Sequence, residues 1–159
     1  MDLSEAAARL EIQQQLANYA TGVDEQDWEL YKSVFTADAD VDYSNSLPLR
    51  GTPEEIVAFF EPVFGAMPWT QHYITNVSCR FEGDECQVRA FFHNPCRLQG
   101  VEGTSHHYGY YDHRFILTDA GWKSMHMVEV MLHRETVPPA PVKAAPEEKA
   151  PEEAAAVGG

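Results

Sequence analysis

Two residues far apart in this chain carry the chemistry that its other features must serve. His72 opens an extended apolar segment, Thr70-Gln71-His72-Tyr73-Ile74-Thr75-Asn76, and Asp24 ends an apolar-faced helical stretch at Gly22-Val23-Asp24-Glu25-Gln26-Asp27-Trp28. A buried imidazole needs a partner that fixes its tautomer and supports its charged form, and a buried carboxylate needs a donor. Neither residue has such a partner nearby in sequence, so each is expected to serve the other. An Asp–His pair in an apolar cavity is a general acid/base, because imidazole titrates near about 6.5 and an adjacent carboxylate favours the proton it holds briefly. Each also has a plainer reading. Asp24 could N-cap a following helix, and His72 could be a hydrogen-bonded strand histidine.

The elements that must bring the pair together read as helices first and strands after, an α+β order. Ile12, Leu16, Tyr19 and Val23 share one helical stripe, which predicts a first helix over about 4–22, closed by Gly22. A second helix is expected from about Asp27 to Phe35, burying Trp28, Tyr31 and Phe35, followed by a short strand at Val41-Asp42-Tyr43. Thr52-Pro53-Glu54-Glu55 signals a third helix, with Thr52 as N-cap, Pro53 in the first turn and Glu55 closing a capping box. Pro62 should end or kink that helix. Four long strands are expected at about 71–81, 86–98, 104–117 and 122–134, with turns at Gly83-Asp84 and Asp119-Ala120-Gly121. Such strands in series would curve around the helices and leave a cone-shaped cavity. From Pro138 onward the chain is rich in Pro, Ala and Glu, so 1–137 reads as one domain and 138–159 as a disordered tail.

Composition narrows the partners. The 159 residues carry a formal net charge of -14, which offers no basic stripe for nucleic acid and no attraction to an anionic membrane surface. No apolar run reaches the roughly 20 residues of a membrane span, and the acidic start Met1-Asp2-Leu3-Ser4-Glu5 is unlike a signal peptide. The three cysteines, Cys79, Cys86 and Cys96, form no Cys-x-x-Cys and read as reduced residues of a cytoplasmic protein.

The order of these elements and motifs resembles the nuclear transport factor 2-like (cystatin-like) fold, in its SnoaL-like branch, over about 10–135. Asp24-Glu25-Gln26-Asp27-Trp28, Val41-Asp42-Tyr43 and Thr70-Gln71-His72-Tyr73-Ile74 are similar to segments of scytalone dehydratases. Gly22-Val23-Asp24 and His72-Tyr73 with Thr75-Asn76 are similar to hexachlorocyclohexane dehydrochlorinases, and Tyr19, Asp24 and His72 resemble a set in bile-acid 7α-dehydratases. The likeness implies a cone of helices wrapped by a mainly antiparallel sheet, and a lyase with Asp24 and His72 as its acid/base pair. It also implies that Tyr43 helps polarise a substrate carbonyl. The surroundings depart from these relatives: Val23 stands where scytalone dehydratases have a second tyrosine, and Tyr19 where the dehydrochlorinases have a lysine.

The combined expectation is a cofactor-independent lyase on a small apolar, aromatic or polycyclic substrate. It would eliminate water or another small fragment, including a carbonyl fragment by retro-aldol cleavage. His72, Asp24, Tyr43 and Tyr19 are the candidate catalytic residues; Trp69, Phe59, Tyr108, His106 and His126 are the candidates to line the substrate site. The spare histidines contain no His-x-His or His-Glu-x-x-His, so no metal site is expected. Strand alternation sets His106 on the opposite face from His107 and His113. A homo-oligomer is expected, a trimer before a dimer. An isomerase or cyclase, or a non-catalytic ligand-binding or assembly module, remain open alternatives on this fold.

Overall fold

Asp2 starts the first helix, α1 (Leu3–Asp24), by accepting the Glu5 N–H at 2.8 Å. A computed structural model describes residues 2–140 of the chain, so most of the expected tail, 141–159, lies outside the described residues. The stripe Ile12, Leu16, Tyr19 and Val23 is buried as its spacing predicts. Gly22 does not close the helix. It is buried where α1 meets the next helix, and a Cβ there would lie 2.7 Å from the Tyr31 amide nitrogen and 2.9 Å from its Cα. The glycine is there for close backbone approach, and the helix runs on to Asp24.

The second helix, α2 (Trp28–Ser33), is capped by Asp27, whose carboxylate accepts the Leu30 N–H at 3.0 Å. That fills the capping role which Asp24 could have played. Phe35, expected at the end of this helix, instead begins β1 (Phe35–Asp42). The Ser124 N–H donates to the Val34 carbonyl, so pairing with a distant strand overrides local helical pattern. After β2 (Arg50–Gly51), α3 (Pro53–Gly65) carries the predicted capping box, with the Thr52 N–H donating to Glu55 Oε2 at 2.8 Å. Pro62 does not end α3. The last turn holds because Phe64 packs on Phe60 and Trp28, with ring centroids 5.0 and 6.0 Å apart.

Then follow β3 (Trp69–Thr70), β4 (Tyr73–Glu82), β5 (Glu85–Arg97), β6 (Thr104–Thr118) and β7 (Gly121–Val137). The sheet order is β2-β1-β7-β6-β5-β3, with β4 also on β5; β1 runs parallel to β7 and the other pairs are antiparallel. Register shifts in β4–β5 and twice in β6–β7 bend the sheet. At one of them Gly109 leaves room for the Phe92 ring, which a Cβ would approach to 2.8 Å. The result is N-terminal helices held inside a strongly curled mixed sheet. Two clusters fill its interior: Ile12, Leu16, Val88, Phe115 and Trp122 belong to one, and Tyr19, Tyr31, Tyr43, Phe35 and Phe60 to the other.

Candidate active site

Asp24 ends α1, where the helix dipole disfavours a negative charge and the last turn holds no basic residue. His72 lies just before β4 and supplies what the carboxylate lacks. Its main-chain N–H donates to Asp24 Oδ2 at 2.7 Å, and its ring Nδ1 lies 2.6 Å from Asp24 Oδ1. A carboxylate only accepts, so Nδ1 carries a proton, and in the neutral ring the lone pair is on Nε2. The side chains are 7% and 18% exposed, so the pair is shielded from bulk water. The turn before His72 is braced from β5: the Asn94 side-chain amide donates to Thr70 Oγ1 at 2.9 Å and to the Gln71 carbonyl at 3.0 Å.

His72 forms part of the wall of a cavity of about 510 Å³ bordered by the tyrosine-rich cluster. Tyr19, Tyr43, Phe60, Phe92, Tyr111 and Met131 give it an apolar, ring-lined interior. Tyr43 joins two other phenols: its hydroxyl is 2.8 Å from that of Tyr19 and 3.1 Å from that of Tyr31. Burial pushes all three phenols well above their ordinary range, so they are neutral donors. Three hydroxyls joined by two hydrogen bonds leave one proton free to donate beyond the chain. Further polar groups line the cavity, His107 and Glu129 among them. His107 has a buried Nε2 without a partner, and burial, followed by Arg134 and His72, pushes its pKa down. Glu129 is 6% exposed, and burial pushes its carboxyl up to about 7.

The structure brings together Asp24, His72, Tyr19 and Tyr43, and sets the other five candidates apart from the cavity. Phe59 is only partly buried, packed against the core from α3, while its neighbour Phe60 faces the cavity. His106 and Tyr108 lie on the outward face of β6; His106 Nδ1 is 2.9 Å from His93 Nε2, and Tyr108 stacks on His93 with centroids 4.6 Å apart. Their inward-facing neighbours His107 and Tyr111 take the lining positions. His126 pairs with Asp40 on the outside, Nδ1 to Oδ2 at 3.3 Å, and Trp69 is 41% exposed on β3. The sequence reading also missed Phe92, Asn94, Tyr111, His107 and Glu129. Strand alternation carried a signal for them, since the phase of β6 that buries Ser105, Gly109 and Tyr111 also contains His107. Among the described residues, no three His, Cys, Asp or Glu side chains converge as a metal site requires. No helix among them is long and apolar enough to cross a membrane.

A family model for the SnoaL-like domain matches residues 4–128, and the chain belongs to that family. An uncharacterized protein of Mycobacterium tuberculosis is 32% identical over 130 residues, covering 81% of this chain and 88% of its own. Among solved structures, the hexachlorocyclohexane dehydrochlorinase LinA-type3 of Novosphingobium barchaimii superposes with a TM-score of 0.78 at 19% identity, over 92% of this chain and 99% of that one. A Novosphingobium aromaticivorans protein provisionally named scytalone dehydratase gives 0.71 at 18% identity, over 89% of this chain and 97% of that one. At such identities these two structures establish a shared fold, which a third structure, an NTF2-like protein of Novosphingobium aromaticivorans with a cystatin-like fold (TM-score 0.64, 20% identity, 82% of this chain and 90% of that one), also has.

Proposed function

We propose that this protein is a cofactor-independent lyase that eliminates water or another small fragment from an apolar, ring-containing substrate. The observation that carries this reading is the 2.6 Å contact between His72 Nδ1 and Asp24 at the wall of an aromatic cavity. Nε2 of His72 would take a proton from the carbon next to a carbonyl, and Asp24 would stabilise the imidazolium that forms. Negative charge then develops on the carbonyl oxygen, where the free proton of the three-phenol chain, when Tyr19 or Tyr43 carries it, can donate a hydrogen bond. The β-substituent leaves with the bonding electrons and, in the case of hydroxide, departs as water with the proton returned by His72. A β-hydroxy ketone would instead lose its hydroxyl proton to the same base; the Cα–Cβ bond then breaks, a carbonyl fragment is released, and the enolate left behind takes the proton back from His72.

The test is a panel of β-hydroxy aryl and polycyclic ketones, followed by mass spectrometry for loss of one water or for carbon–carbon cleavage. Wild type should turn over at least one compound, and His72→Gln should be slower by about 10²–10⁴-fold. Equal rates in the two proteins would sink the proposal. The same panel in D₂O separates the isomerase or cyclase alternative, which exchanges the activated proton without losing a fragment.

For the outward sheet face, the proposal is coverage by another copy of the chain. Tyr73, His93, Tyr108 and His133 stack across β4 to β7, with centroid spacings of 5.8, 4.6 and 5.8 Å, and Tyr73 remains exposed. Sedimentation of wild type against Tyr73→Glu should show an oligomer in the first and a smaller species in the second.

A further inference from the structure

Glu129 lines the same cavity as His72, yet the Asp–His chemistry leaves it unused. It projects from β7, paired in register with Tyr111 on β6. Among the described residues its carboxyl joins no ion pair, although it is almost fully buried. Tyr111 lies opposite it on β6, the phenols of Tyr19 from α1 and Tyr31 from α2 are near enough to feel its charge, and the Ser46 hydroxyl from the loop after Tyr43 is within its reach. His72, His107, His133, Arg134, Cys96 and the Tyr43 phenol are the other titratable groups of the cavity wall, with His133 at its rim.

A carboxylate in such surroundings is costly, because two of the three phenols already hydrogen-bond to Tyr43 and no cation is paired with it. The neutral acid avoids that cost and acquires an O–H donor. Carboxyl groups retained in apolar cavities without an ion pair are more easily explained by a ligand than by packing, since an apolar residue would fill the space without penalty.

We propose that Glu129 is a ligand-binding acid, donating a hydrogen bond from its protonated carboxyl to an oxygen of an aromatic ligand that is anionic or becomes so. This rests on the reading of the cavity as a substrate site, but not on elimination. It predicts that the cavity takes phenols and aryl ketones, whose oxygen accepts the Glu129 proton as a hydrogen bond, in preference to aromatic hydrocarbons of the same size. Ionisation of Glu129 would replace that donor by a repelling charge, so anionic ligands should bind more weakly as the pH rises through the titration of this carboxyl.

The experiment is a binding titration with 4-nitrophenol, whose visible absorbance distinguishes bound phenol from bound phenolate. The full chain and the variants Glu129→Gln and Glu129→Ala are compared from about pH 5 to about pH 9. In wild type the affinity for phenolate should fall by at least about tenfold across the titration of Glu129. Glu129→Gln keeps an N–H donor but cannot ionise, so its affinity for phenolate should lose this pH dependence while His72 and His107 remain as in wild type. Glu129→Ala should bind at least about tenfold more weakly than wild type near pH 6, and if it does not fold, the glutamine variant carries the test. Matching pH profiles in wild type and the glutamine variant, or no binding of 4-nitrophenol to wild type, overturn the assignment. Because binding needs no turnover, an inactive protein that shows the expected pattern would refute elimination and leave the role of Glu129 standing.

Discussion

His72 at the cavity wall and His113 in the neighbouring core are both buried imidazoles, and their surroundings make them opposites. The His113 ring lies among Tyr19, Phe35, Tyr111 and Phe115, at centroid distances of 6.4, 6.4, 6.2 and 5.2 Å. Its Nδ1 is 2.9 Å from Ser124 Oγ, whose own proton goes to the His126 carbonyl at 3.0 Å. Nδ1 therefore donates, and Nε2 is left as a bare, buried lone pair. Burial pushes the pKa of His113 down to about 3, so it stays neutral and reaches no solvent. His72 is nearly as dry, but has a carboxylate on Nδ1 and a cavity beside it. Burial by itself gives an inert histidine; a carboxylate partner and an open face are what turn one into a base.

The sharpest way to break this contrast is to exchange consequences. His72→Gln should lower turnover by about 10²–10⁴-fold with little change in unfolding, whereas His113→Gln should leave turnover within about tenfold and lower the melting temperature. A His113 variant as inactive as the His72 variant would mean that the two sites are not distinct. Asp24→Asn should fall between them, since the asparagine can still accept one hydrogen bond but cannot stabilise an imidazolium.

Next in size is Gly22→Ala, at the junction where α1 delivers Asp24. The added methyl meets the Tyr31 backbone, which cannot swing aside as a side-chain tip would, so a loss of about 1–3 kcal/mol is expected in urea unfolding. Activity should fall with it if the placement of Asp24 depends on how α1 and α2 pack.

Stability against pH sharpens the comparison further, because His113 and Glu129 act in opposite senses. Folded His113 stays neutral to about pH 3, while the unfolded form takes a proton from about 6.5. The stability linked to its neutrality is complete above about 6.5 and is lost as the pH falls, at up to about 1.4 kcal/mol per pH unit. Glu129 is raised from 4.5 to about 7, so its neutral form supports the fold below about 4.5 and that support is lost as the pH rises toward 7. Between about 4.5 and 6.5 the two slopes oppose each other. His113→Leu should therefore leave a fold that weakens as pH rises through this window, and Glu129→Gln one that strengthens; chemical denaturation at several pH values reads both signs. The smallest expected effect is that of Asn94→Ala, which frees the Thr70–Gln71 turn and should cost about 1–2 kcal/mol.

Much of this molecule was legible in order along the chain. The first helix announced its buried stripe, the third its capping box, and the four long strands their turns. The errors share one cause. Phe35 left the helix for a strand because β7 offered it a ladder, and Gly22 served a neighbour's backbone rather than a helix end; of the two outcomes expected at Pro62, the helix end did not occur, with Phe64 packed beyond it. In the site, helix phase and strand phase were each off by one face. Phe60 replaced Phe59 and His107 replaced His106, because periodicity states which residues share a side but not which side the sheet curls around.

The sequence by itself determined the helices-then-strands order and the type of its reacting groups, because both follow from local spacing and side-chain chemistry. The tertiary structure decided that Asp24 accepts from His72 across 48 positions of chain, that Tyr43 joins Tyr19 inside, and that Glu129 is held without a counter-charge. Those facts depend on curvature, register and burial, which arise only when distant segments share one interior and water has left it.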